Sequence, residues 1–220
     1  MPDTDSEQIA VQLTICPYGD MNLVLETPAI NATYLVSSHL LCSASPVFRA
    51  SLGPHSQFRE AAELQSSHKL YQMPIGEDLG FDPTAMAVVL CVLHGRASYI
   101  PDTIDFENLL EIAIICDYYD CAAAMNPWDK TWMQPLQKLS TESGYEDWLF
   151  LAWVFENQEV FEQMTKTFAR NGVKTKDGEF GVVVRGEVKR MHTHLPECIT
   201  RTRPKPQIGS IYAHISWYHR

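Results

Sequence analysis

No run of about 18 apolar residues occurs in this 220-residue chain, so a membrane-spanning helix is not expected. The opening MPDTDSEQ is acidic and polar. It lacks the apolar core of a secretory signal and the arginines of a transit peptide, so an intracellular protein is expected. No C-x-x-C pair exists among the six cysteines at 16, 42, 91, 116, 121 and 198. Most stand inside apolar stretches, the usage of reduced, buried thiols and not of a disulfide framework. Cys116 and Cys121 lie towards the C-terminal end of a helical pattern, where the dipole does not lower a thiol pKa, and are expected to be inert. A G-x-S-x-G elbow is missing, and GEFGVVVRG has neither the lysine nor the glycine order of a phosphate cradle. Asn31-Ala32-Thr33 matches a glycosylation acceptor, read as chance without a signal segment.

Positive charge is scarce over most of the length. Residues 1 to 165 carry 6 Lys/Arg against 23 Asp/Glu, a balance of −17, whereas residues 166 to 220 carry 11 against 4, or +7. The acidic body opposes sequence-independent nucleic-acid binding by repelling phosphates. The basic end can contact an acidic partner or lie against the acidic body. If it bound nucleic acid instead, Arg201, Arg203 and Lys205 would meet the phosphates.

What is present is a globular pattern. Val11, Leu13 and Ile15 alternate with polar neighbours, which predicts a strand. Pro17-Tyr18-Gly19-Asp20 is turn chemistry, and Met21 to Thr27 reads as the return strand of a hairpin. Thr33 to Val36 is a third extended run. In VSSHLLCSASPVFRASL (36 to 52) two helix starts follow one another. Ser37 or Ser38 caps the first, Ser43 or Ser45 the second, with Pro46 at a first helical position. The serines read as caps, not nucleophiles. Lys69 to Met73 is a short strand. Asp82-Pro83 opens a helix closed by Gly95, Ala97 to Ile100 is a brief extended stretch, and Asp105 opens LLEIAIIC, a central buried helix. Trp128 and Trp132 sit at helical spacing between Pro127 and Pro135. The polar connector 138 to 144 is the expected domain boundary. Beyond it, Trp148, Leu151, Ala152 and Phe155 make one helix. Val160, Phe161, Met164 and Phe168, after Asn157, make another that ends at Asn171-Gly172. GEFGVVVRGEVK has the composition of an extended segment.

The motifs VSSHLLCSASPVF, AMAVVLCVLHGR and LLEIAIICDYYDC, in this order, closely resemble those of the BTB/POZ family as it occurs in fungi. Asp20 with Leu23 and Val24 is similar to its GD-x-x-L-V strand, and Leu90, Leu93, His94 and Gly95 to its LHGR helix end. Asp117, Tyr118, Asp120 and Cys121 resemble its aDKYdC segment. The resemblance implies an α+β fold, a small mixed sheet packed against helical hairpins over residues 10–137. A helical extension follows at 145–172, then a poorly defined basic segment at 173–220. It further implies a non-catalytic protein–protein interaction module, an adaptor without cofactor or metal. Its expected partners are other proteins, such as a cullin scaffold, a transcriptional regulator or a second copy. Dimers of this family use a long helix before the first strand, which MPDTDSEQ does not supply, and DPTAMAVVL lacks the hydrophobic-x-acidic pattern of cullin binders. Val11, Leu13, Leu41 and Val47 are the candidate interface residues.

Metal binding has one candidate cluster. His192 and His194 precede Cys198, and His214 and His219 supply half of a zinc-type spacing, but no cysteine pair completes it. Solvated or packed histidines are the expectation. An enzyme with its site in the C-terminal region is the remaining alternative.

Overall fold

Strand formation begins where apolar side chains alternate. The computed structural model describes residues 8–76, 79–142, 144–174, 180–184 and 187–190, with side chains as far as 166. Strands β1 (Ile9–Thr14), β2 (Met21–Glu26), β3 (Ile30–Val36) and β4 (Tyr71–Pro74) form a mixed sheet in the order β1-β3-β2-β4. Met21, Leu23 and Leu25 on β2 and Ala32, Tyr34 and Val36 on β3 turn one face into the core, all at most 1% exposed. The chain belongs to the α+β class, as expected.

The expected β1–β2 hairpin is not formed. β3 lies between the two strands, parallel to β1 with Ile9 opposite Ile30, and antiparallel to β2 with Met21 opposite Val36. The true hairpin is β2–β3, closed by Thr27, whose N–H reaches the Ile30 carbonyl while its hydroxyl accepts the Ile30 N–H. Residues 15 to 20 do reverse the chain, but they carry it across the end of β3. Ile15 and Cys16 N–H both reach the Leu35 carbonyl, and Asp20 N–H reaches that of Val36. A step across one strand spans about 9–10 Å, which a six-residue link covers easily. Gly19 serves this crossing by close approach and not by a left-handed turn. A Cβ there would lie 2.5 Å from the Val36 carbonyl oxygen, a backbone atom that cannot swing aside. Gly19→Ala should therefore cost about 1–3 kcal/mol, on the scale of overpacking a tight site. Urea denaturation checks it, and an unchanged midpoint would show that the crossing has slack.

The helical layer follows the capping chemistry. Helices α1 (Ser38–Ala44) and α2 (Pro46–Leu52) are separate, as the two start signals require. Helix α3 (Arg59–Ser66) has no counterpart in the sequence reading, because only its Ala61 is buried. Helix α4 (Pro83–Leu93) is capped by Asp82, whose carboxylate accepts the Ala85 N–H, and ends at Gly95 with φ +65°. Ala97–Tyr99 is a 3-10 turn and not an extended stretch, since Tyr99 and Ile100 N–H fold back onto the Arg96 and Ala97 carbonyls. Helix α5 (Phe106–Tyr118) is capped by Asp105 and buries Phe106, Leu109, Ile112, Ala113, Ile115 and Cys116, the central helix expected. A 3-10 turn at Ala122–Met125 leads to α6 (Trp128–Leu136). Trp132 is fully buried there, with its indole N–H on the Pro101 carbonyl at 2.8 Å.

Two compact units, Met1–Trp132 and Met133–Arg220, divide the chain within α6. The division comes a few residues before the polar connector, which winds as a 3-10 segment over Gln137–Thr141. In the second unit, α7 (Trp148–Val154) and α8 (Gln158–Asn171) form the expected helix pair, with the Asn157 side chain accepting the Val160 N–H. Strands β5 (Gly172–Lys174), β6 (Phe180–Val184) and β7 (Glu187–Arg190) make an antiparallel meander, so the described residues of the segment read as extended, 180–184 and 187–189, are strand.

Candidate functional site

A serine, a carboxylate and an imidazole do converge in the first unit, at the junction of β3 and α1. Their connections decide what they can do. Ser38 donates its hydroxyl to Asp20 Oδ2 at 2.6 Å and its backbone N–H to Asp20 Oδ1 at 2.7 Å. Asp20, at the end of the crossing segment, thus caps a helix 18 positions later, while Ser37 makes no side-chain cap bond. His94 Nε2 accepts the Ser37 backbone N–H at 3.0 Å. Nε2 therefore holds a lone pair, and Nδ1 carries the proton and donates to the Leu90 carbonyl at 2.8 Å. Both ring nitrogens are engaged, and neither meets a hydroxyl. Ser43 donates to the His39 carbonyl, and Ser45 caps α2 by accepting the Phe48 N–H at 3.0 Å while donating to the Tyr119 carbonyl. The arrangement clamps a strand to two helices; it does not activate an oxygen nucleophile, which needs the base on the hydroxyl.

Burial holds the His94 pKa below the ordinary histidine value, opposed by the hydrogen bond to the Leu90 carbonyl and by the Asp20 charge. The folded pKa is the lower one, so the clamp is at full strength above pH about 6.5, the unfolded value. Its contribution is lost as pH falls from there through the folded value, where a proton on Nε2 confronts the Ser37 N–H. The stability gap between wild type and His94→Gln should accordingly be largest near pH 8 and shrink below about pH 6.5. Denaturation series at both pH values measure it, and a gap independent of pH would rule the clamp out.

The surroundings of Cys116 disfavour its thiolate. Cys116 is fully buried, and burial, then the contact with Cys121, raises its pKa well above the usual thiol value. A notch of about 330 Å³ between α4 and α5 is lined by Thr84, Val88, Ile104 and Asn108, among others. Its one carboxylate, Asp105, is committed to the Asn108 backbone and side-chain N–H groups. Among the described residues no group of three or more His, Cys, Asp or Glu is placed to hold a metal ion, and no helix is long and apolar enough to cross a membrane. His192, His194, Cys198, His214 and His219, like Arg201, Arg203 and Lys205, lie outside the described residues.

Among the described residues, one surface is left open by backbone and side chains alike. β1 is the outermost strand of its sheet. Ile9 N–H reaches the Ala29 carbonyl and Ile15 N–H the Leu35 carbonyl, so odd-numbered amides point to β3. The amides and carbonyls of Ala10, Gln12 and Thr14 point outwards, by the alternation of a parallel ladder. Ile9, Val11 and Leu13 share the core face with Ala32 and Tyr34, yet Ile9 is 63% and Leu13 37% exposed, and Val11 is half-buried. No charged residue stands in β1 or β3. No family model matches the chain, and no curated protein does either.

Of the candidate interface residues, Val11 and Leu13 lie on this surface. Val47, on α2, is half-buried. Leu41 is fully buried and cannot touch a partner; its neighbour Leu40, 37% exposed, faces outwards instead. Adjacent leucines on a helix point about 100° apart, and only the packing of α1 on its neighbours selects which one enters the core. Ile9 was missed because its exposure depends on β1 lying at the edge, which no local pattern states.

Proposed function

We propose that this chain is a non-catalytic, intracellular protein-interaction module of the BTB/POZ type, an adaptor whose binding surface includes β1. The observation that carries the proposal is an uncharged edge strand with an apolar side left uncovered. Soluble proteins ordinarily blunt such an edge with lysine, proline or a bulge, and Ile9–Thr14 has no lysine or proline. Open backbone groups supply pairing energy to an added strand, and alternate side chains supply selectivity. The motif resemblance points the same way. The strand-to-helix junction carrying it is built as a scaffold, its serines and histidine spent on holding α1, α2 and α4 together.

Affinity purification with mass spectrometry, run in parallel on wild type and Leu13→Lys, tests the proposal. Recovery of a defined protein, such as a cullin scaffold or a transcriptional regulator, is expected with wild type and should be lost with the charged variant. Equal recovery by both would place binding elsewhere than β1. No specific protein with either would remove the adaptor reading.

A further inference from the structure

We propose that Cys116 and Cys121 are a reversible redox site: with a small-molecule disulfide such as glutathione disulfide, the folded chain closes a bond between their sulfurs across the C-terminal turn of α5. The inference is independent of the interaction-module reading and makes no use of β1.

The way the helix ends brings the two thiols together. α5 runs to Tyr118, and Tyr119 follows as its cap. The Cys121 N–H then turns back to the Cys116 carbonyl at 2.9 Å, and the Asp120 N–H to the Asp117 carbonyl at 3.2 Å. Asp120 itself takes φ +49°, the left-handed conformation that aspartate tolerates as a single residue. These two bonds make a Schellman ending, which sets the residue three back from the cap against the second residue beyond it. Those positions ordinarily share an apolar contact. Here both are cysteine, 0% and 1% exposed, and their thiols meet. Disulfides join α-carbons about 4.4–6.8 Å apart, and a direct backbone hydrogen bond between the same two residues holds theirs to that scale.

The exchange needs only the small disulfide. One cysteine, as thiolate, attacks a sulfur of glutathione disulfide, expels a glutathione thiolate and leaves a mixed disulfide. The other cysteine, as thiolate, attacks the protein sulfur of that bond and expels the second glutathione thiolate. The two protons given up by the cysteines end on the two glutathiones, and the small disulfide takes up the two electrons that the pair loses. Burial, then Cys121, then the Asp117 and Asp129 charges disfavour the Cys116 thiolate. That slows the exchange without moving its end point. Opening of the turn sets the rate, and the turn lies at the surface, where Asp120 is exposed and Tyr118 half-exposed. The end point is set by how well the folded turn fits the bond. Tyr119 links the site to its surroundings, since its carbonyl accepts the Ser45 hydroxyl and its ring stacks on Phe48. Closure therefore fastens the ground on which α2 docks.

Cys116 and Cys121, and no other cysteine, lie in one tryptic peptide, residues 97 to 130. Closure thus reads by mass spectrometry as the loss of two hydrogens and of both alkylation sites from that peptide. The full unaltered chain, folded and in denaturing urea, is equilibrated in glutathione buffers of graded ratio, starting from the reduced and from the oxidised form. Acid quenching, alkylation and digestion follow. The folded chain should hold the bond with an effective thiol concentration at least about tenfold above that of the urea-unfolded chain, a modest share of what native disulfides contribute. By the same thermodynamic cycle, the oxidised chain should unfold at a higher urea midpoint than the reduced one. An effective concentration equal or lower in the folded chain reduces the contact to ordinary packing and overturns the proposal. So does an unchanged or lowered midpoint, a glutathione adduct that never closes, or pairing of either cysteine with one elsewhere in the chain. End points that differ between the two starting forms end the claim of reversibility.

Discussion

Phe48→Ala is expected to lower the unfolding free energy by about 3–5 kcal/mol, the usual range for emptying a buried aromatic site. Phe48 is 2% exposed, and its ring stacks on Tyr119 with centroids 4.3 Å apart and planes within 6°. Stacking of this kind adds about 0.5–1.5 kcal/mol beyond the area buried, so the upper half of the range is the one to expect. Phe48 ties α2 to the residue that caps the end of α5, and a methyl group at that position reaches neither. The measurement is the shift of the urea midpoint at constant slope, followed through the first unit's transition. A loss below about 1 kcal/mol would mean that α2 collapses onto the vacated space at little cost, contrary to the close packing described.

Ser45→Ala is the second large effect, about 2–4 kcal/mol. Its fully buried hydroxyl has two duties, accepting the Phe48 N–H at 3.0 Å and donating to the Tyr119 carbonyl at 2.5 Å. Losing an N-cap costs about 0.5–2 kcal/mol, and removing the partner of a buried carbonyl adds about 1–3. Ser37→Ala is the matched control. Ser37 makes no side-chain cap bond, and its backbone N–H, the group that holds His94, survives the change. That variant should stay within about 0.5 kcal/mol of wild type. Equal losses in the two variants would show that the serines act by propensity alone. Ser45 and Phe48 share Tyr119 as a contact, so the double variant should lose less than the two single losses added together.

The contrast between these serines marks how far the sequence could be read. Caps that act within three residues, Ser45 on Phe48, Asp82 on Ala85 and Asp105 on Asn108, were legible because acceptor and donor are set by one turn of chain. Asp20 on Ser38 was not, since the chain crosses a strand between the two. The same distinction holds for the sheet. Alternation located β1, the turn before it located β2, and residue types located β3, but partner choice depends on which strands share a core face, and β3 proved the better neighbour for both others. Helix α3 escaped notice because a helix burying one alanine leaves almost no apolar period. At the proposed surface, the residue types of β1 were readable and its place at the sheet's rim was not.

The crossing at residues 15 to 20 bears on how the protein can be shortened. A chain begun after that crossing would keep the β2–β3 hairpin and its helices, yet its sheet would end in β3. That strand presents seven residues without a charge, INATYLV, whose Ala32, Tyr34 and Val36 belong to the core. Trimming the N-terminus for convenience would thus replace one sticky rim by a longer and more apolar one, and insoluble aggregates are the expected yield.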